Sequence, residues 1–88
     1  MRLSFVGITP DSPVNECPAV FVDEETGDIW IQGEAVTDPA ALAEVAGHSP
    51  IGAGESVVKV PPVMRQFLLE AVNGTYEQGR RGPGRHGA

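Results

Sequence analysis

The stretch AVFVDEETGDIWIQ, residues 19–32, decides the fold, because it has the pattern of a β-hairpin. Two runs rich in β-branched and aromatic residues flank the polar segment EETG. Gly27 in that segment can adopt the positive φ that closes a tight turn between antiparallel strands. We therefore predict two antiparallel strands over residues 19–23 and 28–32, joined by an acidic turn.

The two faces of this hairpin differ in chemistry. Side chains alternate between the faces of a strand, so one face carries four aliphatic residues, which are Val20, Val22, Ile29 and Ile31. We expect these four to meet a helix. Phe21 and Trp30 then point to the opposite face, which in an antiparallel sheet is usually solvated. This aromatic pair is either covered by the N-terminal strand or the first helix, or it anchors a partner protein.

Three further elements surround the hairpin. RLSFVG, residues 2–7, alternates apolar and polar side chains and predicts a strand. TDPAALAEVAG, residues 37–47, predicts a short helix that Asp38 or the threonine before it can cap and Gly47 can end. SVVKV, residues 56–60, predicts another strand.

The C-terminal helix has the strongest signal. In VPPVMRQFLLEAVNG, residues 60–74, prolines can open a helix and Asn-Gly can end it. Its apolar residues span about half the helix circumference, whereas a surface helix needs only ~100°. We expect Phe67 and Leu68 in the core, and Leu69 outside it beside Arg65. The element order is then β-β-β-α-β-α, an α+β fold with the C-terminal helix packed on one face of a small antiparallel sheet.

Charge divides the chain of 88 residues into two parts. Residues 1–78 hold all twelve acidic side chains against three basic ones, a formal net charge of −9, and predict a single acidic domain. Residues 79–88 hold three arginines and four glycines and predict a disordered basic tail. An acidic body repels nucleic acid and anionic membranes. The apolar runs are too short for a membrane span or a signal peptide.

No residue pattern predicts catalysis or a bound cofactor. Cys17 is the only cysteine, so an internal disulfide is excluded and a reducing cytoplasm is expected. Cys17, His48 and His86 lack the paired spacing of zinc ligands. The acidic turn at residues 23–28 is too short for a calcium loop, and GAGES at residues 52–56 lacks the Gly-Lys-Ser/Thr ending of a phosphate loop. We expect no catalytic, cofactor or metal site.

The stretch VVKVPPVMRQFLLEAVNGTYE, residues 57–77, resembles the C-terminal half of a protein family. This family comprises small acidic actinobacterial proteins of unknown function, encoded beside Xre-type helix-turn-helix regulators in the WhiJ/BldB neighbourhood. The positions that fit its pattern are Pro61, Arg65, Phe67, Leu68 and Gly74. Met64 occupies the position of the family's tryptophan, and Tyr76 that of its last phenylalanine.

Upstream of this stretch the chain departs from the family pattern. A cysteine before a strand also recurs in the family, as Cys17 does here. The family's Arg-Asp-Ser after the central strand is absent, because this chain reads Gln-Gly-Glu at residues 32–34. The helix predicted within residues 37–47 is extra. The resemblance therefore covers about half of the chain.

The resemblance implies a non-enzymatic protein that binds a helix-turn-helix regulator in development or secondary metabolism. The predicted protein interface contains Phe21, Trp30, Arg65 and Leu69. Alternatives are an antitoxin-like or anti-repressor protein that mimics DNA, and a small enzyme or ligand carrier. The same surface could instead pair two copies as a homodimer. No direct contact with nucleic acid or membrane is expected.

Overall fold

A three-stranded antiparallel sheet and a C-terminal helix form the larger part of this α+β fold. The computed structural model describes residues 1–9 and 17–79. In chain order the strands and helices are β1 (Leu3–Ile8), β2 (Ala19–Asp23), β3 (Ile29–Gln32), β4 (Glu34–Ala35), α1 (Pro39–His48), β5 (Val58–Lys59) and α2 (Arg65–Asn73). The larger sheet has the strand order β1-β2-β3, and β4 pairs with β5 in a second, two-stranded sheet.

The hairpin of β2 and β3 confirms the sequence prediction. Phe21 lies opposite Trp30, and Val22 lies opposite Ile29, so the aromatic and aliphatic faces separate as expected. Gly27 has φ 83°. Its N–H donates to the carbonyl oxygen of Asp23 at 2.7 Å, which closes the turn.

β1 pairs with β2 and is interrupted by one irregularity. The register shifts between Phe5 and Gly7, which is the signature of a β-bulge. Val6 lies in this bulge and joins the buried core. Gly7 is buried directly against Phe67, so a Cβ atom at this position would overlap the phenylalanine ring.

The core lies between the sheet and α2. Its buried apolar residues are Val6, Val20, Val22, Met64 and Ala71. Met64 belongs to a 3-10 turn (Pro62–Met64) that leads into α2, and its side chain is fully buried. Phe67 and Leu68 pack against this cluster but are only half-buried, so the central position that we expected for them belongs to Met64.

Only part of the apolar surface of α2 is buried. The helix ends at Gly74, which has φ 71°, as the Asn-Gly signal predicts. Leu69 is exposed, in agreement with the prediction. Val63 and Val72, at the two margins of the apolar arc, are exposed as well. The buried arc is therefore close to the ~100° that a helix on a flat sheet can bury.

The sheet differs from the sequence prediction at its outer strand. Ile29 and Ile31 do not meet the helix and are exposed on β3. α2 packs on β1 and β2. A helix about 10 Å wide covers roughly two strands that are ~4.8 Å apart. The third strand therefore lies beyond its reach.

The segment between the hairpin and α2 contains one unpredicted strand. β4 follows β3 after Gly33 and pairs with β5. α1 starts as expected, with Pro39 in the first turn and the Asp38 carboxylate accepting from the N–H of Ala40 at 3.4 Å. It continues through Gly47 to His48 instead of ending at the glycine, and it contains no buried residue.

The C-terminal end of the described chain is tied to the sheet. The Tyr76 hydroxyl donates to Glu24 Oε2 at 3.0 Å, and the Gly79 N–H donates to the hydroxyl oxygen of buried Ser4 at 2.6 Å. Gly79 therefore belongs with the folded part. The remainder of the predicted disordered tail, residues 80–88, lies outside the described residues.

Candidate interaction surfaces

Strand β3, at one edge of the larger sheet, exposes apolar side chains on both of its faces. Ile29, Trp30 and Ile31 are 39%, 43% and 43% exposed, and we name these three residues the β3 edge. Trp30 lies on one face and the two isoleucines lie on the other, because side chains alternate along a strand. Within the part of the chain that the structure describes, no strand pairs with the outer side of β3, so apolar area and unpaired backbone groups lie together there, which is a template for another chain.

The aromatic face of the sheet is only partly covered. Phe5 on β1 packs against Phe21 with ring centroids 5.7 Å apart and an interplanar angle of 58°. Phe5 is buried and Phe21 is half-buried, so the N-terminal strand shields Phe21 in part. Trp30, one strand further out, keeps almost half of its surface in solvent. Of the predicted pair, Trp30 is therefore the accessible member.

An ordered acidic turn adjoins the β3 edge. The carboxylate of Asp23 accepts from the backbone N–H groups of Glu25 at 3.0 Å and Arg2 at 3.3 Å. The hydrogen bond from Glu25 is the main reason that the pKa of Asp23 lies below its ordinary value, and burial acts in the opposite direction. Glu25 also contacts the N-terminal ammonium of Met1 at 2.5 Å and raises its pKa. Asp28 remains exposed beside β3.

A second apolar surface lies on the solvent side of α2. Arg65, Leu69 and Val72 follow the spacing i, i+4 and i+7, which places them on one helix face, and we name them the α2 stripe. Leu69 is 62% exposed and Val72 is 69% exposed. Two adjacent aliphatic side chains on one helix face form an exposed apolar patch, and such patches can mark protein-binding surfaces.

The four predicted interface residues therefore fall on two surfaces. Phe21 and Trp30 point away from α2, whereas Arg65 and Leu69 lie on the side of α2 that faces away from the core. The sheet and the helix lie between the two pairs. The exposure of Ile29 and Ile31 was not predicted, since only the strand order reveals that β3 lies at an edge of the sheet.

The groups considered for chemistry remain scattered. Cys17 is half-buried, and His48 pairs with Glu44 within α1 at 3.3 Å. An open cleft of about 340 Å³ lies between the end of α1 and the loop after it. Its one carboxylate, Glu55, accepts from the N–H of Gly52 at 2.8 Å and so holds the loop. Within residues 1–9 and 17–79, no three His, Cys, Asp or Glu side chains converge as metal ligands.

Comparisons with protein families, curated proteins and solved structures give no match, so the resemblance over residues 57–77 stays a prediction. Neither α1 nor α2, the helices of the described chain, is long and apolar enough to cross a membrane.

Proposed function

We propose that this protein is a non-enzymatic interaction module of the cytoplasm whose α2 stripe binds a helix-turn-helix transcriptional regulator. The observation that carries the proposal is the pair Leu69 and Val72, exposed side by side on a helix whose other face packs against the core through Ala71, Phe67 and Leu68. An amphipathic helix with a second apolar face is a common docking element, because a partner groove can bury that face.

Charge supports a basic partner. Residues 1–78 carry a formal charge of −9, from three basic and twelve acidic side chains. A helix-turn-helix protein presents a basic surface toward DNA. Opposite charges accelerate the encounter of two proteins and contribute less to the final affinity. We therefore propose that the acidic side chains of residues 1–78 accelerate the encounter, and that the apolar residues of the α2 stripe provide the affinity.

The test is a binding titration with a purified Xre-type helix-turn-helix regulator, comparing wild type with the double variant Leu69→Glu/Val72→Glu. We expect the double variant to bind at least tenfold more weakly, about 1.4 kcal/mol or more, because two apolar contacts become buried charges. The matched control is Val58→Glu, which places the same charge at a 40% exposed valine on β5. Equal binding by all three proteins would rule out the α2 stripe.

An anti-repressor that mimics DNA is the competing function, and the acidic turn favours it. Glu25 and Asp28 are both exposed there, within a run of four acidic residues. In that case the double variant Glu25→Gln/Asp28→Asn should no longer bind the regulator at equilibrium. Duplex DNA should also displace the wild-type protein from the regulator. Under our proposal the same variant lowers mainly the association rate and its dependence on salt.

A further inference from the structure

We propose that two copies of this chain pair through β3 and form one continuous six-stranded antiparallel sheet. The inference concerns the β3 edge and is independent of the regulator proposed above, which uses the α2 stripe. Among residues 1–9 and 17–79, β3 pairs with β2 on one side and with no strand on the other. A second copy offers the same strand, so each edge can satisfy the other.

The backbone of β3 is oriented for this pairing. The carbonyl of Asp28 accepts from the N–H of Asp23 at 2.8 Å, so the peptide groups of residue 28 point at β2. Peptide groups alternate in direction along an antiparallel strand. Those of Trp30 and Gln32 therefore also point at β2, whereas those of Ile29 and Ile31 point outward. Each copy thus presents two N–H and two C=O groups at its free edge.

Symmetry restricts the register of the pair. A two-fold axis perpendicular to the sheet keeps each face on its own side, so residues opposite each other must lie on the same face. One register places Trp30 opposite Trp30 of the second copy. It also places Ile29 opposite Ile31 in both directions, with these two pairs exchanging the backbone hydrogen bonds.

Charge selects this register over the next one. A register shift that places Ile31 opposite Ile31 of the second copy also brings Asp28 opposite Glu34 of the second copy. Like charges directly across a sheet are destabilising. The first register brings Asp28 opposite Gln32 instead. The Gln32 amide nitrogen already donates to the Cys17 carbonyl at 3.0 Å and has a second N–H, which can donate to that carboxylate.

Packing in the same register extends both faces of the sheet. On one face the row Phe5, Phe21 and Trp30 continues into the same three residues of the second copy in reverse order. On the other face Val22 and Ile29 continue into Ile31 and Val20 of the second copy. The β3 side chains that α2 leaves exposed therefore gain apolar neighbours on both sides.

The contact is small, so the dimer should be weak. Four residues of each chain bury far less than the ~1,200–2,000 Å² of a typical stable interface. Association should therefore depend on concentration in the range of roughly 10 μM to 1 mM. Trp30 is the only tryptophan, so its fluorescence reports directly on this contact.

The first experiment measures mass by sedimentation and Trp30 emission over that concentration range. In the wild type, we expect the mass to double and the emission to shift to shorter wavelength as Trp30 is covered. Ile31→Lys should stay monomeric with emission independent of concentration, since edge lysines block strand pairing. Val58→Lys, at a similarly exposed β-strand valine, should still dimerise, and both variants should keep the wild-type far-UV circular dichroism.

The second experiment reads the register with a short bifunctional thiol reagent in a Cys17→Ser background. A mixture of Ile29→Cys and Ile31→Cys chains, one of them tagged, should give cross-linked mixed dimers. Each variant alone should cross-link poorly, because residue 31 opposes itself only in the rejected register, and residue 29 opposes itself only in a register that places Asp28 opposite Trp30.

Three outcomes overturn the proposal. The first is a wild type that stays monomeric with constant Trp30 emission. The second is a dimer that survives Ile31→Lys but is lost in Leu69→Glu, which would place the contact on α2. The third is preferential self-cross-linking of Ile31→Cys, which would establish the other register. The first and third outcomes leave the regulator proposal untouched, whereas the second would mean that the α2 stripe pairs two copies.

Discussion

Gly7 and Gly47 contribute differently to the packing of the fold. Gly7 allows β1 to approach the ring of Phe67 without a side chain between them. Gly47 lies inside α1 with open space around its Cα, so nothing in the packing requires a glycine. A tertiary contact requires glycine at position 7, whereas the glycine at position 47 only weakens α1.

Alanine substitutions at the two positions should therefore have opposite effects. We expect Gly7→Ala to lower the free energy of unfolding by about 1–3 kcal/mol, because the new methyl group overlaps the Phe67 ring. Gly47→Ala should raise it by up to ~1 kcal/mol through helix propensity. Urea denaturation of both variants checks this, and a neutral Gly7→Ala would mean that β1 and α2 are not packed closely.

The C-terminal helix is anchored by the turn that precedes it. Met64 ends the 3-10 turn with its side chain fully buried against the valines of β1 and β2. Its neighbour Val63 points to solvent. α2 is only nine residues long. Isolated helices shorter than about 12–15 residues are marginal in water, so tertiary contacts such as that of Met64 supply most of its stability.

We expect Met64→Ala to cost about 2–5 kcal/mol, since it leaves a cavity at the centre of the only large core cluster among the described residues. In a domain of this size such a loss is enough to unfold a large fraction of the molecules. Val63→Ala is the matched control and should change stability little. Thermal unfolding followed by circular dichroism measures both, and similar midpoints for the two variants would contradict the assigned core.

At the scale of the whole molecule, the segment after α2 contacts the first strand and the hairpin turn. The hydroxyl of Ser4, buried in the first strand, accepts from the N–H of Gly79, and Tyr76 contacts Glu24 beside the hairpin turn. Burial and the hydrogen bond to Glu24 both raise the pKa of Tyr76. The segment after α2 therefore closes over the sheet rather than leaving it at Gly74.

Truncation tests how much the Gly79 contact contributes to stability. A chain ending at Gln78 leaves the buried Ser4 hydroxyl without its backbone donor and should lose about 1 kcal/mol. This corresponds to roughly 4–8 °C in the unfolding midpoint of a domain of this size. A chain that ends at Gly79 retains the donor and should match the full-length protein. Identical midpoints for the two truncations would show that the Gly79 contact contributes nothing.

The sequence by itself determined the local structure of this protein. The hairpin with Gly27 in its turn, the Asp38 cap of α1 and the Gly74 end of α2 depend on backbone preferences of a few adjacent residues. The same holds for the position of Leu69 outside the core, because helical periodicity alone separates it from Phe67. Such features need no knowledge of distant contacts.

Which apolar residues of the strands are buried depends instead on tertiary contacts. Ile29 and Ile31 have the same alternation as the buried Val20 and Val22, yet they are exposed because α2 is too narrow to cover a third strand. The short β4 strand, which the sequence analysis missed, and the bond between Gly79 and Ser4 likewise depend on partners far away in the chain. Strand order and helix width set these contacts, and the periodicity of a single segment predicts neither of them.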